Sequence, residues 1–60
     1  MIEVNQNTSS QQLDTIQEGD QICYKHGKFG LVEKIQIILS KGRKKYFYKL
    51  KNDRTIFVMR

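Results

Sequence analysis

The chain has one cysteine and one histidine in sixty residues. A lone Cys cannot form an internal bridge, and with one His it cannot supply a four-ligand zinc site. Disulfide-stapled secretion is therefore not expected, and a reducing cytosol fits better. Apolar runs such as Ile37-Ile38-Leu39 fall far short of the ~20 residues that span a membrane. The opening Met1-Ile2-Glu3-Val4-Asn5 has no basic start followed by an apolar stretch, so no signal peptide is expected. Length sets another limit. A chain this short buries only roughly 60% of its unfolded surface, which makes one small domain with little room for an enclosed substrate pocket.

Catalytic chemistry finds no constellation. Cys23 and His26 are three residues apart, and on one strand they point to opposite faces. Cys23 therefore reads as a small apolar filler and His26 as a bend residue. Glu33 and Asp53 are the only carboxylates after residue 20, and nothing pairs them. The expectation is a binding module with no enzymatic activity, cofactor or metal.

Charge is divided along the chain. Of eleven basic and six acidic residues, the first twenty positions hold Glu3, Asp14, Glu18 and Asp20 and no base. The remaining forty hold every Lys and Arg against Glu33 and Asp53, which leaves a net +5. Seven of the basic residues lie between Lys41 and Arg54. Such a field attracts polyanions or an acidic protein surface, although strand lysines also keep small proteins soluble and block edge pairing.

Residues 1–17 are rich in Asn, Gln, Ser and Thr and read as a flexible polar arm. Ser9-x-x-Gln12 is a capping-box pattern, and Leu13 with Ile16 would form one face of a helical turn near 10–17. Glu18-Gly19-Asp20 signals a turn. From Gln21 the pattern becomes period 2. Ile22 and Tyr24 alternate with Cys23 and Lys25, and Gly27 and Gly30 bracket Lys28-Phe29 in a predicted bend. In the apolar-rich Leu31–Leu39, strict alternation puts Leu31, Ile35, Ile37 and Leu39 on one face. Val32, Lys34, Gln36, Ile38 and Ser40 then share the other. A helix also fits the spacing of 31, 35, 38 and 39, but β-branched content and flanking glycines favour a strand. Ser40–Arg43 reads as a hairpin turn, and Tyr46, Tyr48 and Leu50 alternate with Lys45, Phe47, Lys49 and Lys51. Asn52-Asp53-Arg54 is a second turn before a last strand, Thr55–Met59. Short strands with tight turns predict an all-β fold, a small barrel or curled sheet of four to five antiparallel strands over residues 18–60.

The run Gly19-Asp20-Gln21-Ile22-Cys23-Tyr24-Lys25-His26-Gly27, followed by Gly30-Leu31-Val32-Glu33-Lys34-Ile35, resembles a small SH3-like barrel of Tudor or KOW type. More closely it is similar to the RNA-polymerase-interacting domain of the CarD and transcription-repair coupling factor family. The similarity continues through Lys41-Gly42, Lys45, Tyr46 to Tyr48 and Leu50-Lys51, and covers roughly residues 18–59. The resemblance implies a cytoplasmic, bacterial, transcription-associated interaction module. Positions where it would place a basic polymerase contact fall here on Ile38 and Phe57. A fifth strand would have to come from the arm at Ile2–Val4 or be missing.

Two surfaces are candidates. The first expectation is docking on RNA polymerase or another transcription protein through an exposed strand edge, with Val32, Lys34, Gln36, Ile38 and Phe57 at the contact. The alternative is a KOW- or Tudor-like module that binds RNA or DNA through the basic 41–54 hairpin. There Lys41, Arg43, Lys44, Lys45, Lys49, Lys51 and Arg54 would meet phosphates, with Phe47 as a stacking ring. A third is a scaffold piece whose fifth strand comes from a partner. No membrane partner is expected, and the chain would be a monomer or weak dimer.

Overall fold

Period-2 alternation becomes five strands in the computed structural model, which describes residues 1–25 and 27–60. The elements are β1 (Ile2–Glu3), the single turn α1 (Ser10–Leu13), β2 (Gln21–Tyr24), β3 (Lys28–Ser40), β4 (Arg43–Leu50) and β5 (Thr55–Met59). They form one mixed sheet in the order β1-β2-β3-β4-β5. The pairs β2–β3, β3–β4 and β4–β5 are antiparallel. The β1–β2 pair is parallel, which departs from the all-antiparallel expectation. A two-residue connection cannot join parallel strands. Here the crossover is residues 4–20, and it carries α1 over one face of the sheet. Strands β1 and β5 lie at opposite ends of the order, so strand pairing does not close the sheet. No helix among the described residues is long and apolar enough to cross a membrane.

The polar opening segment packs against the sheet where composition predicts a mobile arm. Val4, Thr8, Leu13 and Ile16 are buried, and Val4 donates its N–H to the Cys23 carbonyl at 2.8 Å. Composition misleads here because three apolar residues, Val4, Leu13 and Ile16, are enough to seat the segment on the sheet. Ser9 caps α1 by accepting from the Gln12 N–H at 3.2 Å, as its pattern predicts. The fifth strand does come from Ile2–Glu3.

Turn chemistry fixes the register. Lys41 and Gly42 both have positive φ (53° and 75°), the backbone of a type I′ hairpin, so Ser40 pairs with Arg43 and the whole β3–β4 ladder follows. Lys28 and Phe29 belong to β3, so the bend falls before them and not between Gly27 and Gly30. His26, expected as a bend residue, lies outside the described residues. The register shifts between Val32 and Lys34, and this bulge corrects the predicted faces of β3. Val32 lies opposite Leu50 in the core, and Ile35, Ile37 and Leu39 share that inner face opposite Tyr48, Tyr46 and Lys44. Leu31 falls on the other side and is exposed.

The core is Val4, Leu13, Ile16, Ile22, Val32, Tyr46, Tyr48, Leu50, Ile56 and Val58, with Tyr24 and Ile35 packed against it. Each large side chain fully buried there contributes about 1.5–3 kcal/mol by removal from water. Both core tyrosines find partners for their hydroxyls. Tyr48 donates to the Leu13 carbonyl and Tyr46 to an Asp14 carboxylate oxygen, each at 2.8 Å.

Candidate nucleic-acid interface

Residues directly opposite in an antiparallel pair share a face, so the registers lay out the outer surface row by row. Ser40 and Arg43 form the first row. Ile38, Lys45 and Met59 form the second, Gln36, Phe47 and Phe57 the third, and Lys34, Lys49 and Thr55 the fourth. In the third row the Phe47 and Phe57 rings lie 4.8 Å apart between centroids, tilted by 38°. Phe57 is 40% exposed, and Ile38 and Met59 about as much. Beside the rings is a shallow hollow of about 280 Å³ lined by Lys34, Gln36, Phe47, Lys49 and Thr55.

This surface joins the two sites that the sequence suggests separately. Lys34, Gln36, Ile38 and Phe57, expected at a protein contact, lie on one face with Lys45, Phe47 and Lys49, expected at a nucleic-acid contact. Arg43 lies at the end of the same face. Val32 is corrected: it is 1% exposed and belongs to the core, because the bulge turns it inward.

The remaining bases of the 41–54 hairpin do not form one stripe. Strand β4 has eight residues and spans ~25 Å at ~3.3 Å per residue, which separates its two turns. Lys41 stands at one turn, Lys51 and Arg54 at the other. Lys44 is on the inner face, where it pairs with Asp14 at 3.6 Å, so it leaves the expected phosphate-binding set. Arg54 lines a different hollow, of about 300 Å³, with Tyr24, Lys25 and Lys28. There the Lys25 ammonium lies 5.7 Å from the centre of the Tyr24 ring.

Electrostatics differ between the faces. On the inner side, burial pushes the Tyr46 and Tyr48 hydroxyls above the usual tyrosine range. At Tyr46 the hydrogen bond to Asp14 adds to that shift. On the outer side Lys34, Lys45 and Lys49 surround the ring pair, and among the described residues Lys49 has an acidic neighbour, Glu33 at 3.9 Å. That pair is half exposed and holds the lysine weakly. The outer surface can therefore offer cations to phosphates and the exposed part of a packed ring pair to bases.

Met59 and Thr55 are members of this surface that the sequence reading missed. Phe57 was assigned there only to a protein contact. The available signal was the short Asn52–Arg54 turn: a tight turn centred near residue 52 sets Phe57 opposite Phe47 and Met59 opposite Lys45. Among the described residues, no three His, Cys, Asp or Glu side chains gather as a metal site. Comparison with known protein families, with curated proteins and with solved structures finds no match to this chain, so a functional reading rests on the surface itself.

Proposed function

We propose that this chain is a binding module without chemistry of its own, and that its outer sheet face takes single-stranded RNA or DNA. The observation that carries the reading is the outward-facing Phe47–Phe57 pair, Phe57 exposed and Phe47 half-buried beside it, set among Lys34, Lys45 and Lys49. Apolar rings on a solvent face cost solubility, and a folded core this small gains nothing from leaving them outside. As a platform they make sense, since bases stack on rings while lysines track the backbone. The arrangement suits the KOW- or Tudor-like alternative drawn from the sequence. The SH3-like barrel belongs to the same proposal: Gln6 spans the unpaired side of β5, donating to the Phe57 carbonyl at 3.0 Å and to the Tyr24 hydroxyl at 2.8 Å. A role in transcription follows from the resemblance alone and is part of the proposal.

Fluorescence anisotropy with labelled oligo-U, oligo-dT and a duplex tests this. Single strands should bind more tightly than the duplex, with affinity falling as salt rises. Phe47→Ala or Phe57→Ala should each weaken binding by about 5- to 150-fold, the range for one stacked base. Failure of both single strands to bind at low salt would sink the reading. Capture of RNA polymerase from nuclease-treated lysate, lost in the Phe variants, would move the same surface to protein docking.

A further inference from the structure

Strand β3 is paired on both sides along only part of its length. Strand β2 covers it at Lys28–Leu31, and the Asp20 and Gly19 backbones close on Val32, with N–H to carbonyl distances of 2.8 Å each way. Beyond Val32, no other strand among the described residues lies on that side. The free stretch ends at the Lys41–Gly42 turn.

The hydrogen-bond phase of this edge can be read from its neighbours. Lys44 exchanges bonds with Arg60 at 2.6 and 2.7 Å, and Leu50 donates to Arg54 at 2.7 Å, so the even residues of β4 point their backbone toward β5. Their partners on β3 are Val32, Ile35, Ile37 and Leu39. In an antiparallel ladder such residues turn N–H and C=O away from the shared strand. Ile35, Ile37 and Leu39 thus present three donors and three acceptors in a row along the open edge. Their side chains form an apolar line on the inner face, Ile37 48% and Leu39 71% exposed. An edge of this kind is a template for another strand unless something blocks it. Its interior, Ile35 to Leu39, carries no charge and no proline.

We infer that the occupant is a second copy of this chain, with β3 pairing antiparallel to β3 about a two-fold axis at Ile37. The sequence is self-complementary in that register. Ile37 meets Ile37, Ile35 meets Leu39 on both sides, and all six free backbone groups of each copy are used. Lys34 falls opposite Ser40, and Glu33 opposite Lys41 at each end, so opposite charges meet and like charges do not. Centring on Gln36 sets Glu33 against Leu39, and centring on Ile38 sets Ile35 against Lys41. Both leave an apolar residue facing a charge. A two-fold axis perpendicular to the sheet gives an isologous, closed dimer and merges the two sheets into one of ten strands. It also brings both Phe47–Phe57 surfaces onto the same side. The inference does not depend on what those surfaces bind.

Sedimentation equilibrium across a dilution series reads the outcome directly. The wild-type mass should rise from 7.1 kDa toward twice that value with concentration. Ile37→Pro removes one outward N–H without touching the β3–β4 ladder, so it should stay monomeric with an unchanged circular-dichroism spectrum. Should that variant unfold, Ile37→Cys in a Cys23→Ser background gives a second readout. Residue 37 facing its own copy should cross-link to a covalent dimer under mild oxidation, faster than the Ile38→Cys control. A wild-type chain that stays monomeric at every concentration overturns the inference. So does a dimer that survives Ile37→Pro, or cross-linking no faster at 37 than at 38. Because the Phe47→Ala and Phe57→Ala chains should still dimerise, loss of nucleic-acid binding and loss of dimer are separable results.

Discussion

Successive residues of β4 follow opposite rules. The aromatic residues with a polar tip, Tyr46 and Tyr48, go inside, and the purely hydrocarbon ring between them, Phe47, goes out. A hydrophobicity scale alone would order them the other way. What decides is the partner each face provides: the segment lying over the inner face supplies the Leu13 carbonyl and Asp14 carboxylate to the hydroxyls. The outer face gives Phe47 a second ring, Phe57, with Gln36 beside it in the same row and lysines in the rows on either side. The inner tyrosines therefore serve stability, and the outer phenylalanines are free to serve a ligand.

The sharpest way to break that comparison is to truncate one ring from each face. Tyr48→Ala should cost about 3–5 kcal/mol. A chain of this length has only about 3–9 kcal/mol of stability in total. The variant should lose its cooperative thermal transition, as followed by circular dichroism. Phe57→Ala, on the exposed side, should stay within about 1 kcal/mol of wild type. If Phe57→Ala melts as Tyr48→Ala does, the outer pair is a second core and its role as a binding platform falls.

A subtler change keeps the ring and removes the hydroxyl. Tyr48→Phe removes the shorter of two hydrogen bonds to the Leu13 carbonyl, which keeps the Ile16 N–H at 3.3 Å, a loss of about 0.5–1.5 kcal/mol at neutral pH. The same hydroxyl carries a pH dependence of determinate sign. Burial raises the folded-state values of Tyr46 and Tyr48, so above the unfolded value near 10 the unfolded chain has released protons that the folded chain still holds. Their contribution is complete below about pH 10 and is lost as pH rises beyond it. Urea denaturation at a series of alkaline pH values should show stability falling in wild type and a shallower fall in Tyr48→Phe. Equal slopes in the two proteins would remove Tyr48 from the account.

Local rules carried most of the fold into the sequence. The turns at Glu18–Asp20, Ser40–Arg43 and Asn52–Arg54 and the alternation of Tyr46, Tyr48 and Leu50 were legible because each depends on a few adjacent residues. Three features were not. The bulge after Val32 exchanges the faces of Leu31 and Val32, and a period-2 pattern has no mark for one inserted residue. The opening segment reads as polar because burial there rests on four isolated residues spread over thirteen positions, from Val4 to Ile16. The parallel β1–β2 pair is a long-range contact that nothing in Ile2–Glu3 announces. For the site, residue types were legible but their grouping was not. A basic stretch in sequence is split by alternation between two faces and two ends, and only the register reassembles Lys45, Phe47 and Lys49 with Lys34 and Phe57.

Adjacent lysines supply the finest test of that regrouping. Lys44 and Lys45 differ by one position and would count alike in any tally of charge, yet they face opposite sides of the sheet. Lys44→Gln removes a half-exposed ion pair with Asp14, worth at most about 1 kcal/mol. It should leave the salt dependence of oligonucleotide binding unchanged. Lys45→Gln should barely alter stability but should reduce the slope of log affinity against log salt by about 0.7, one phosphate contact on a single strand. Equal slopes for the two variants would mean that bound nucleic acid responds to the net charge of the chain, and the outer face would lose its claim to be a site. A change at Lys45 alone, from two residues of identical charge and neighbouring position, would follow the side of the sheet on which each one stands, together with the Asp14 partner that the inner side gives Lys44.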